Sequence, residues 1–430
     1  MPDERSAAPA ASWSDVLPIG LFLQAARLAF NFRALTFAAL ALAATSAGWR
    51  LIGSAFDNSR GTVIEEYNRW PWDASLRTLD LENPVHAAEL PTRSIPDRGP
   101  ITRPTDMPSD SRLLDWAATS PILHTWKYIT DPFVRLFSRR VSLDQFGYLL
   151  LCGLWALTVW ALFGGAITRL AAVALARDEQ LSWGQALGYA RRKWLAYLLA
   201  PIIPLLGVTI VALPLALGGL LLRSDVGVVI AGILWPLVLL AGFLMAIMVL
   251  GLLFGWPLMW ATISAEGTES FDALSRSYAY VFQRPIVYLF YLFVAALLGT
   301  VAWLLVSLFA NEVLNLGNWG VSWGSGEERL RDVLAKRGLD DTADAGATII
   351  RFWSGCAITL ALAYFFSYFW TASQAIYFLL RREIDATELD AVYLPEEEEA
   401  FGLPPLATDE AGVATVPPAA SSDVDRPTGL

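Results

Sequence analysis

The feature that most constrains this chain is an uncharged stretch of 40 residues, 226–265, which contains no Asp, Glu, Lys, Arg or His. A helix rises about 1.5 Å per residue and the hydrocarbon core of a bilayer is about 30 Å thick, so about 20 residues suffice for one crossing. Soluble domains have no use for an apolar, uncharged run of this length. The sequence therefore predicts an integral membrane protein.

The composition of the chain points the same way. Its 430 residues are 55% hydrophobic and only 17% charged, whereas about a quarter of the residues in an ordinary globular domain are charged. The net charge of −10 comes from residues 383–430, which hold 12 acidic residues and a single basic one, Arg426. The remaining body is nearly neutral and the tail is acidic, so the sequence gives no indication of nucleic-acid binding.

Apolar runs long enough for transmembrane helices recur along the chain, and they predict an all-α polytopic fold with about six crossings. The longest run could hold two crossings, separated near Pro236 or Pro257, or a single long kinked helix. The predicted spans cover residues 34–56, 146–168, 194–222, 226–265, 285–310 and 352–380.

The remaining segments are assigned by composition. Residues 15–33 and 120–140 mix apolar and basic side chains, which predicts helices lying on the membrane surface. The predicted organisation is a disordered start and interfacial helix (1–33), a first span (34–56), an extramembrane region with a Pro-rich linker and an amphipathic segment (57–145), a polytopic core (146–382) and a disordered acidic tail (383–430).

An internal repeat lies within the core. The segment 179–187 aligns without a gap on the segment 266–274, 87 residues further along the chain. In each copy a Glu precedes an Ala-Leu pair by seven residues, and an amide or carboxylate stands directly before the Ala. The matched residues are Glu179, Gln185, Ala186 and Leu187 in the first copy and Glu266, Asp272, Ala273 and Leu274 in the second.

Each copy predicts a short amphipathic helix at the membrane interface, between two spans. Ser182 and Gln185 form a capping-box pattern in the first copy, and Thr268 is the expected cap in the second. If both helices lie on one side, the run 226–265 crosses an odd number of times, as one long kinked helix does. The expected packed faces are Trp183, Leu187, Ala190 and Trp194 in the first helix and Phe271, Leu274, Tyr278 and Val281 in the second.

Basic residues in the short loops predict the orientation. Ten lie on the side of the repeat helices and six on the other side, which favours both termini in the cytoplasm, at the inner membrane if the chain is bacterial. The ten are Arg27, Arg33, Arg177, Arg191, Arg192, Lys193, Arg276, Arg284, Arg381 and Arg382; the six are Arg223, Arg329, Arg331, Lys336, Arg337 and Arg351.

The second copy, from Glu266-Gly267 through Ala273-Leu274 to Ser277, resembles a loose group of bacterial multi-span membrane proteins. That group includes the membrane domain attached to some glycerophosphodiester phosphodiesterases. The resemblance covers residues 146–310 and implies an all-helical membrane domain with cytoplasmic amphipathic hairpins. It implies no catalysis, because the catalytic barrel of those enzymes is a separate soluble domain that we do not find in this sequence.

No enzyme, cofactor or metal site is expected. The segment from Gly320 to Gly324 matches the Gly-x-Ser-x-Gly pattern around Ser322, but it reads as an interfacial turn without a following His. His86 and His124 lack metal-ligand spacing and are expected at the surface. Cys152 and Cys356 lie inside apolar runs and are expected to serve as small packing residues.

Transport is the alternative that the sequence leaves open. Coupled transporters generally need an Asp or Glu within a span. No apolar run of this chain contains one. Arg169 and Arg351 stand at predicted span ends, where their side chains can extend to the headgroups. Prolines interrupt two neighbouring spans, and broken helices often build transport sites; kinked packing is the preferred interpretation. These prolines are Pro201, Pro204, Pro214, Pro236 and Pro257.

The predicted function is therefore a non-enzymatic membrane protein that organises or anchors partners or lipids. The alternative is a channel or uncoupled permease with its pathway between the two repeat units. The bilayer is the expected partner, together with a cytoplasmic protein that docks on the acidic tail. The apolar anchors in the tail would be Tyr393, Leu394, Phe401 and Leu403.

Overall fold

The computed structural model describes residues 19–56, 67, 120–136, 142–394, 407–408 and 414–415. The chain divides into a compact unit, Met1–Val392, and a second unit, Tyr393–Leu430. The described part of the second unit contains strands β1 (Ala407–Thr408) and β2 (Ala414–Thr415), which pair antiparallel. The predicted N-terminal disorder, the Pro-rich linker and most of the acidic tail lie outside the described residues.

The described part of the first unit is helical, as predicted. Its helices are α1 (Ile19–Ala29), α2 (Phe32–Ala55), α3 (Pro121–Leu136), α4 (Leu143–Arg177), α5 (Trp183–Arg192), α6 (Trp194–Gly218), α7 (Asp225–Glu266), α8 (Ser270–Gln283), α9 (Pro285–Ser325), α10 (Glu327–Ala335) and α11 (Asp341–Asp385). A short 3-10 turn, Gly219–Arg223, extends α6.

Six of these helices are long and apolar enough to cross a membrane: α2, α4, α6 with its extension, α7, α9 and α11. The predicted number of spans and the all-α class are confirmed, and the chain is an integral membrane protein. The 40-residue run lies in a single helix, α7, which begins after the Ser224 N-cap and is followed by the C-cap Gly267, with φ 68°. Gly fits that left-handed position because it has no Cβ.

The loops after α4 and α7 lie at the same end of the bundle, here called the hinge end. Lys193, between α5 and α6, contacts Glu269, just before α8, with an Nζ–Oε1 distance of 2.6 Å. The opposite end, where Ser224 joins α6 to α7, is called the loop end. The loops after α4 and α7, together with the short helices that follow them, are called the two hinges. Both hinges therefore lie on one side of the bundle, as expected if α7 crosses an odd number of times.

The short helices α5 and α8 pack against the spans that precede them. The Tyr278 hydroxyl of α8 donates to the Met248 carbonyl at 2.7 Å, about 27 Å along α7 from its end. Directly after α5, the Trp194 indole at the start of α6 donates to the Thr158 carbonyl of α4 at 3.1 Å. Each short helix thus folds back along the preceding span.

Buried side chains concentrate around the hinge-side half of α11, in which every residue from 361 to 381 is buried. Tryptophans from three helices meet there: Trp160 of α4, Trp256 and Trp260 of α7, and Trp370 of α11. Trp260 stacks on Trp370 at 4.4 Å between ring centroids, and Trp160 stacks on Phe366 at 4.8 Å. These five side chains are called the aromatic core.

The loop-side halves of α6 and α7, residues 205–250, form a contrasting region called the free hairpin. After Pro204 no residue of α6 is buried, and in the α7 part only Gly227 and Ala231 are buried. The exposed side chains are mostly Leu, Ile, Val and Phe. In a bilayer this surface faces lipid.

Helix α3 is packed into the bundle, whereas the sequence suggested a surface-lying helix. The Phe133 ring fills the space beside Gly153 of α4, where an added Cβ would lie 2.8 Å from the ring. Two polar residues on the same helix, Asp131 and Arg135, are buried and joined by a 2.9 Å ion pair. Burial of paired charges explains why a segment with this many polar residues is accommodated in the interior.

Candidate functional site

At the hinge end several charged and polar side chains meet around Glu266. The carboxylate contacts Arg276 of α8 at 2.9 Å and accepts a hydrogen bond from the Tyr377 hydroxyl of α11. The Arg381 guanidinium lies 3.8 Å away. Glu266 therefore ties the end of α7 to α8 and α11, a structural role for a residue that the repeat singled out.

The other motif residues divide into a buried pair and an exposed pair. Ala186 and Ala273 are fully buried against the preceding spans, while Gln185 and Asp272 are exposed. Gln185 also completes the predicted capping box with Ser182, which the structure confirms. Leu274 is buried and Leu187 is half-buried.

Two details of the second copy differ from the prediction. The N-cap of α8 is Glu269 without a side-chain cap, so the expected capping role of Thr268 is wrong. The Glu269 N-cap aligns with Ser182, 87 residues before it, so the two helices do begin at matched positions. Phe271, expected on the packed face, is 68% exposed, and Ser277 and Tyr280 are buried instead.

Arg169 is buried inside α4, because that helix continues past it to Arg177. Its side chain is only 2% exposed and donates to the Ser264 carbonyl at 2.7 Å. The guanidinium also lies 4.2 Å from the Tyr189 ring centroid. A cation at the last turn of α7 stabilises the negative end of the helix dipole, so the expected extension to the headgroups is wrong.

Two prolines in the spans are matched by tryptophans from other helices. A proline lacks the N–H that would bond the carbonyl four residues earlier, so Pro201 frees the Tyr197 carbonyl and Pro257 frees the Leu253 carbonyl. Trp260 donates to Tyr197 at 2.8 Å and Trp126 donates to Leu253 at 3.1 Å. Both freed carbonyls thus accept a hydrogen bond from another helix.

His124 on α3 is buried against the rings of Phe365 and Phe366, with 4.7 Å between its ring centroid and that of Phe365. Neither imidazole nitrogen has a hydrogen-bond partner among the described residues. Burial, with a smaller effect of Lys127, lowers the pKa of His124 to about 4. The expectation of a surface histidine is therefore wrong for His124, and His86 lies outside the described residues.

The start of the acidic tail is packed at the hinge end. Arg381 donates to the carbonyls of Glu388 and Ala391, at 3.1 and 2.7 Å. The Tyr280 hydroxyl of α8 donates to Asp385. Burial, and to a smaller extent this hydrogen bond, raises the pKa of Tyr280. Residues 383–392 thus belong to the compact unit.

The predicted docking anchors are only partly described. Tyr393 and Leu394 have no regular secondary structure, and Phe401 and Leu403 lie outside the described residues. The docking role of these four residues therefore stays a prediction.

The remaining candidates show no catalytic geometry. The segment from Gly320 to Gly324 is part of helix α9 rather than a turn, and Ser322 donates to the Trp319 carbonyl of its own helix. Within the described ranges, no group of three or more His, Cys, Asp or Glu residues is placed to hold a metal ion.

Sequence reasoning missed Tyr377, Arg381, Trp126 and Trp260. Tyr377, Trp126 and Trp260 act on groups that are distant in the chain, as Arg381 does on Glu266, and no local pattern marks these four residues. Proline is the one usable signal, since each proline in a span frees a carbonyl that needs a donor.

Comparisons with protein-family models, with curated proteins and with solved structures yield no match. The resemblance to the membrane domain of some glycerophosphodiester phosphodiesterases therefore stays a prediction.

Proposed function

We propose that this protein is a non-enzymatic membrane organiser that anchors partner proteins or lipids. The observation that carries the proposal is the filled interior around Pro201 and Pro257. The carbonyls that these prolines free accept hydrogen bonds from indoles, and Trp260 stacks in the aromatic core. A transport pathway between the repeat units would need these carbonyls to face water.

The alternative, a channel or uncoupled permease, draws support from the same prolines, because broken helices commonly build transport sites. The packing weighs against it. An added Cβ at Gly164 would lie 2.8 Å from Trp370 and 2.9 Å from Trp260, so helix α4 is in direct contact with the stacked rings. A solute would have to separate these helices.

The free hairpin supplies the surface for organisation within the bilayer. Its apolar side chains, such as Phe243 and Leu237, point outward on most of its circumference. Helices associate in lipid through close packing and not through hydrophobicity, so this surface is open to both lipids and partner spans.

We further propose that the hinge end faces the cytoplasm. Exposed basic residues at this end, Arg191, Arg192, Arg284 and Arg382, follow the positive-inside pattern. The tail then leaves the compact unit on the cytoplasmic side, where Tyr393, Leu394, Phe401 and Leu403 serve as the docking anchors of a cytoplasmic partner.

Purification in mild detergent, with mass spectrometry of bound proteins and lipids, tests the proposal. We expect reproducible enrichment of a partner or a lipid, and loss of the cytoplasmic partner on truncation after Val392. This cut keeps the residues that bond Arg381 and Tyr280. A clean monomer without an enriched partner or lipid would contradict the proposal.

Solute flux through proteoliposomes provides the second readout. We expect no increase in the flux of small ions or neutral solutes over empty liposomes. A flux that Trp260→Ala increases further would favour the permease, because that change removes the indole bonded to the Tyr197 carbonyl.

A further inference from the structure

The two matched glutamates of the repeat differ in their surroundings. Glu266 is held by Arg276, Tyr377 and Arg381, as described above. Glu179 is exposed in the loop after α4 and makes no hydrogen bond or ion pair to another described residue. A carboxylate at the same repeat position is thus structural in one copy and available in the other.

Glu179 lines a shallow crevice at the hinge end. The crevice lies between the turn that joins α1 to α2, the last turns of α4, and the loop before α5. Its floor is apolar and its mouth is polar, with Asn31, Arg33 and Gln180 beside Glu179. The apolar residues are Leu28, Ala34, Ile167, Leu170, Ala171 and Ala174.

The mouth carries both signs of charge. One N–H group of Arg33 donates to the Leu181 carbonyl, which fixes the guanidinium there. Arg33 and Glu179 form no ion pair with each other. The N-terminus of α2, capped by Asn31, adds its partial positive charge on the Arg33 side. A ligand that complements this mouth carries both an anionic and a cationic group.

Exposed aromatic residues lie next to this mouth. Phe32 is 67% exposed and meets the Trp183 ring edge-on, with centroids 6.1 Å apart. Aromatic side chains of this kind occupy the headgroup level of a bilayer. Phe32 and Trp183 are thus suited to hold the mouth of the crevice at the level of the phospholipid headgroups.

We propose that this crevice binds the headgroup of an ethanolamine phospholipid. The phosphate lies at Arg33 and the N-terminus of α2, and the ammonium donates hydrogen bonds to Glu179. A choline headgroup carries the same charges but has no N–H to donate, and a glycerol headgroup has no cation. The site thus distinguishes the ethanolamine headgroup from both.

This inference rests on the lipid-anchoring part of the proposed function, and its test separates the two. The full-length protein is reconstituted in nanodiscs that contain equal parts of ethanolamine, choline and glycerol phospholipids. Lipids retained after gentle release are counted by native mass spectrometry. Variants are Glu179→Gln and Arg33→Gln, with Asp272→Asn as the control, because Asp272 is an exposed carboxylate of the other copy.

Wild-type protein is expected to retain the ethanolamine lipid about tenfold over the choline lipid, the ratio given by one charge-assisted hydrogen bond. Glu179→Gln is expected to remove that preference and favour the glycerol lipid, while Arg33→Gln weakens retention of all three. Asp272→Asn is expected to behave as wild type.

Equal retention of the three lipids by wild type would overturn the inference, as would the same loss of preference in Asp272→Asn and Glu179→Gln. If a protein partner still co-purifies in either case, the crevice assignment fails while the organiser proposal stands.

Discussion

The helices around the aromatic core and those of the free hairpin are both apolar and both contain prolines, yet the first are tightly packed and the second are exposed. In the core, the carbonyl freed by Pro201 accepts a hydrogen bond from an indole of another helix. In the hairpin, Pro214 and Pro236 lie on exposed stretches. Apolar character alone does not draw helices together in lipid, so shape and polar contacts decide which spans pack.

The largest expected effect on stability comes from shortening a side chain of the aromatic core. Trp260→Ala removes a fully buried ring that stacks on Trp370 and bonds the Tyr197 carbonyl, and we expect a loss of about 3–5 kcal/mol in unfolding free energy. Phe243→Ala in the free hairpin, where the side chain is 61% exposed, is expected to change it by less than about 0.5 kcal/mol. Unfolding in mixed detergent micelles measures both, and equal losses would remove the distinction between the regions.

The stability of the folded protein is expected to depend on pH because of His124, which packs beside the aromatic core. Because burial lowers its pKa to about 4, below the ordinary value near 6.5, folding holds the imidazole neutral. The contribution to stability is complete above about pH 6.5 and is lost as the pH falls through 4, by up to about 3 kcal/mol. Thermal unfolding between pH 7 and 4.5 measures the loss.

His124→Phe provides the matched variant, since a phenyl ring suits the contact with Phe365 and Phe366. It is expected to remove most of the pH dependence over that range. An unchanged pH profile in the variant would show that His124 is not the group that titrates.

Glycine substitutions sharpen the comparison because they are expected to differ in sign. Gly164→Ala places a methyl group 2.8 Å from the Trp370 ring, so we expect a loss of about 1–3 kcal/mol. Gly242→Ala in the free hairpin meets nothing within 4 Å and is expected to stabilise its helix by up to about 1 kcal/mol. Thermal unfolding of the two variants measures both, and destabilisation by Gly242→Ala would mean that another part of the chain covers the hairpin.

The smallest expected effect concerns the ion pair between the hinges. The Lys193–Glu269 contact is partly exposed, with 73% of the Glu269 side chain accessible, so its coupling energy is expected at about 0.2–1 kcal/mol. A double-mutant cycle with Lys193→Ala and Glu269→Ala at two salt concentrations measures it. A coupling that does not weaken with salt would contradict the described exposure.

Local patterns predicted local structure well. The six spans, the capping box of Ser182 and Gln185, and the single helix over 226–265 follow from neighbouring residues. The two repeat copies, which are 87 residues apart, do begin their helices at matched positions, although the cap of α8 is Glu269 and not the predicted Thr268.

Long-range partners decided the rest. The position of Arg169 in the sequence fitted a span end, and only the fold shows that the Ser264 carbonyl lies against it. His124 and its helix were assigned to the surface because their polar residues suggested water, whereas Asp131 and Arg135 pair inside the bundle. The crevice at Glu179 likewise depends on the α1–α2 turn, which is distant in the chain.

The most direct test is whether the two hinges lie on the same side of the membrane. Cysteines replace Gln185 and Asp272 one at a time, in a chain whose Cys152 and Cys356 are changed to Ala, and a membrane-impermeant maleimide is added to sealed vesicles of known orientation. Both positions are exposed at the hinge end, so both cysteines are expected to react from the same face. Reaction from opposite faces would contradict the shared hinge end and the single crossing of α7.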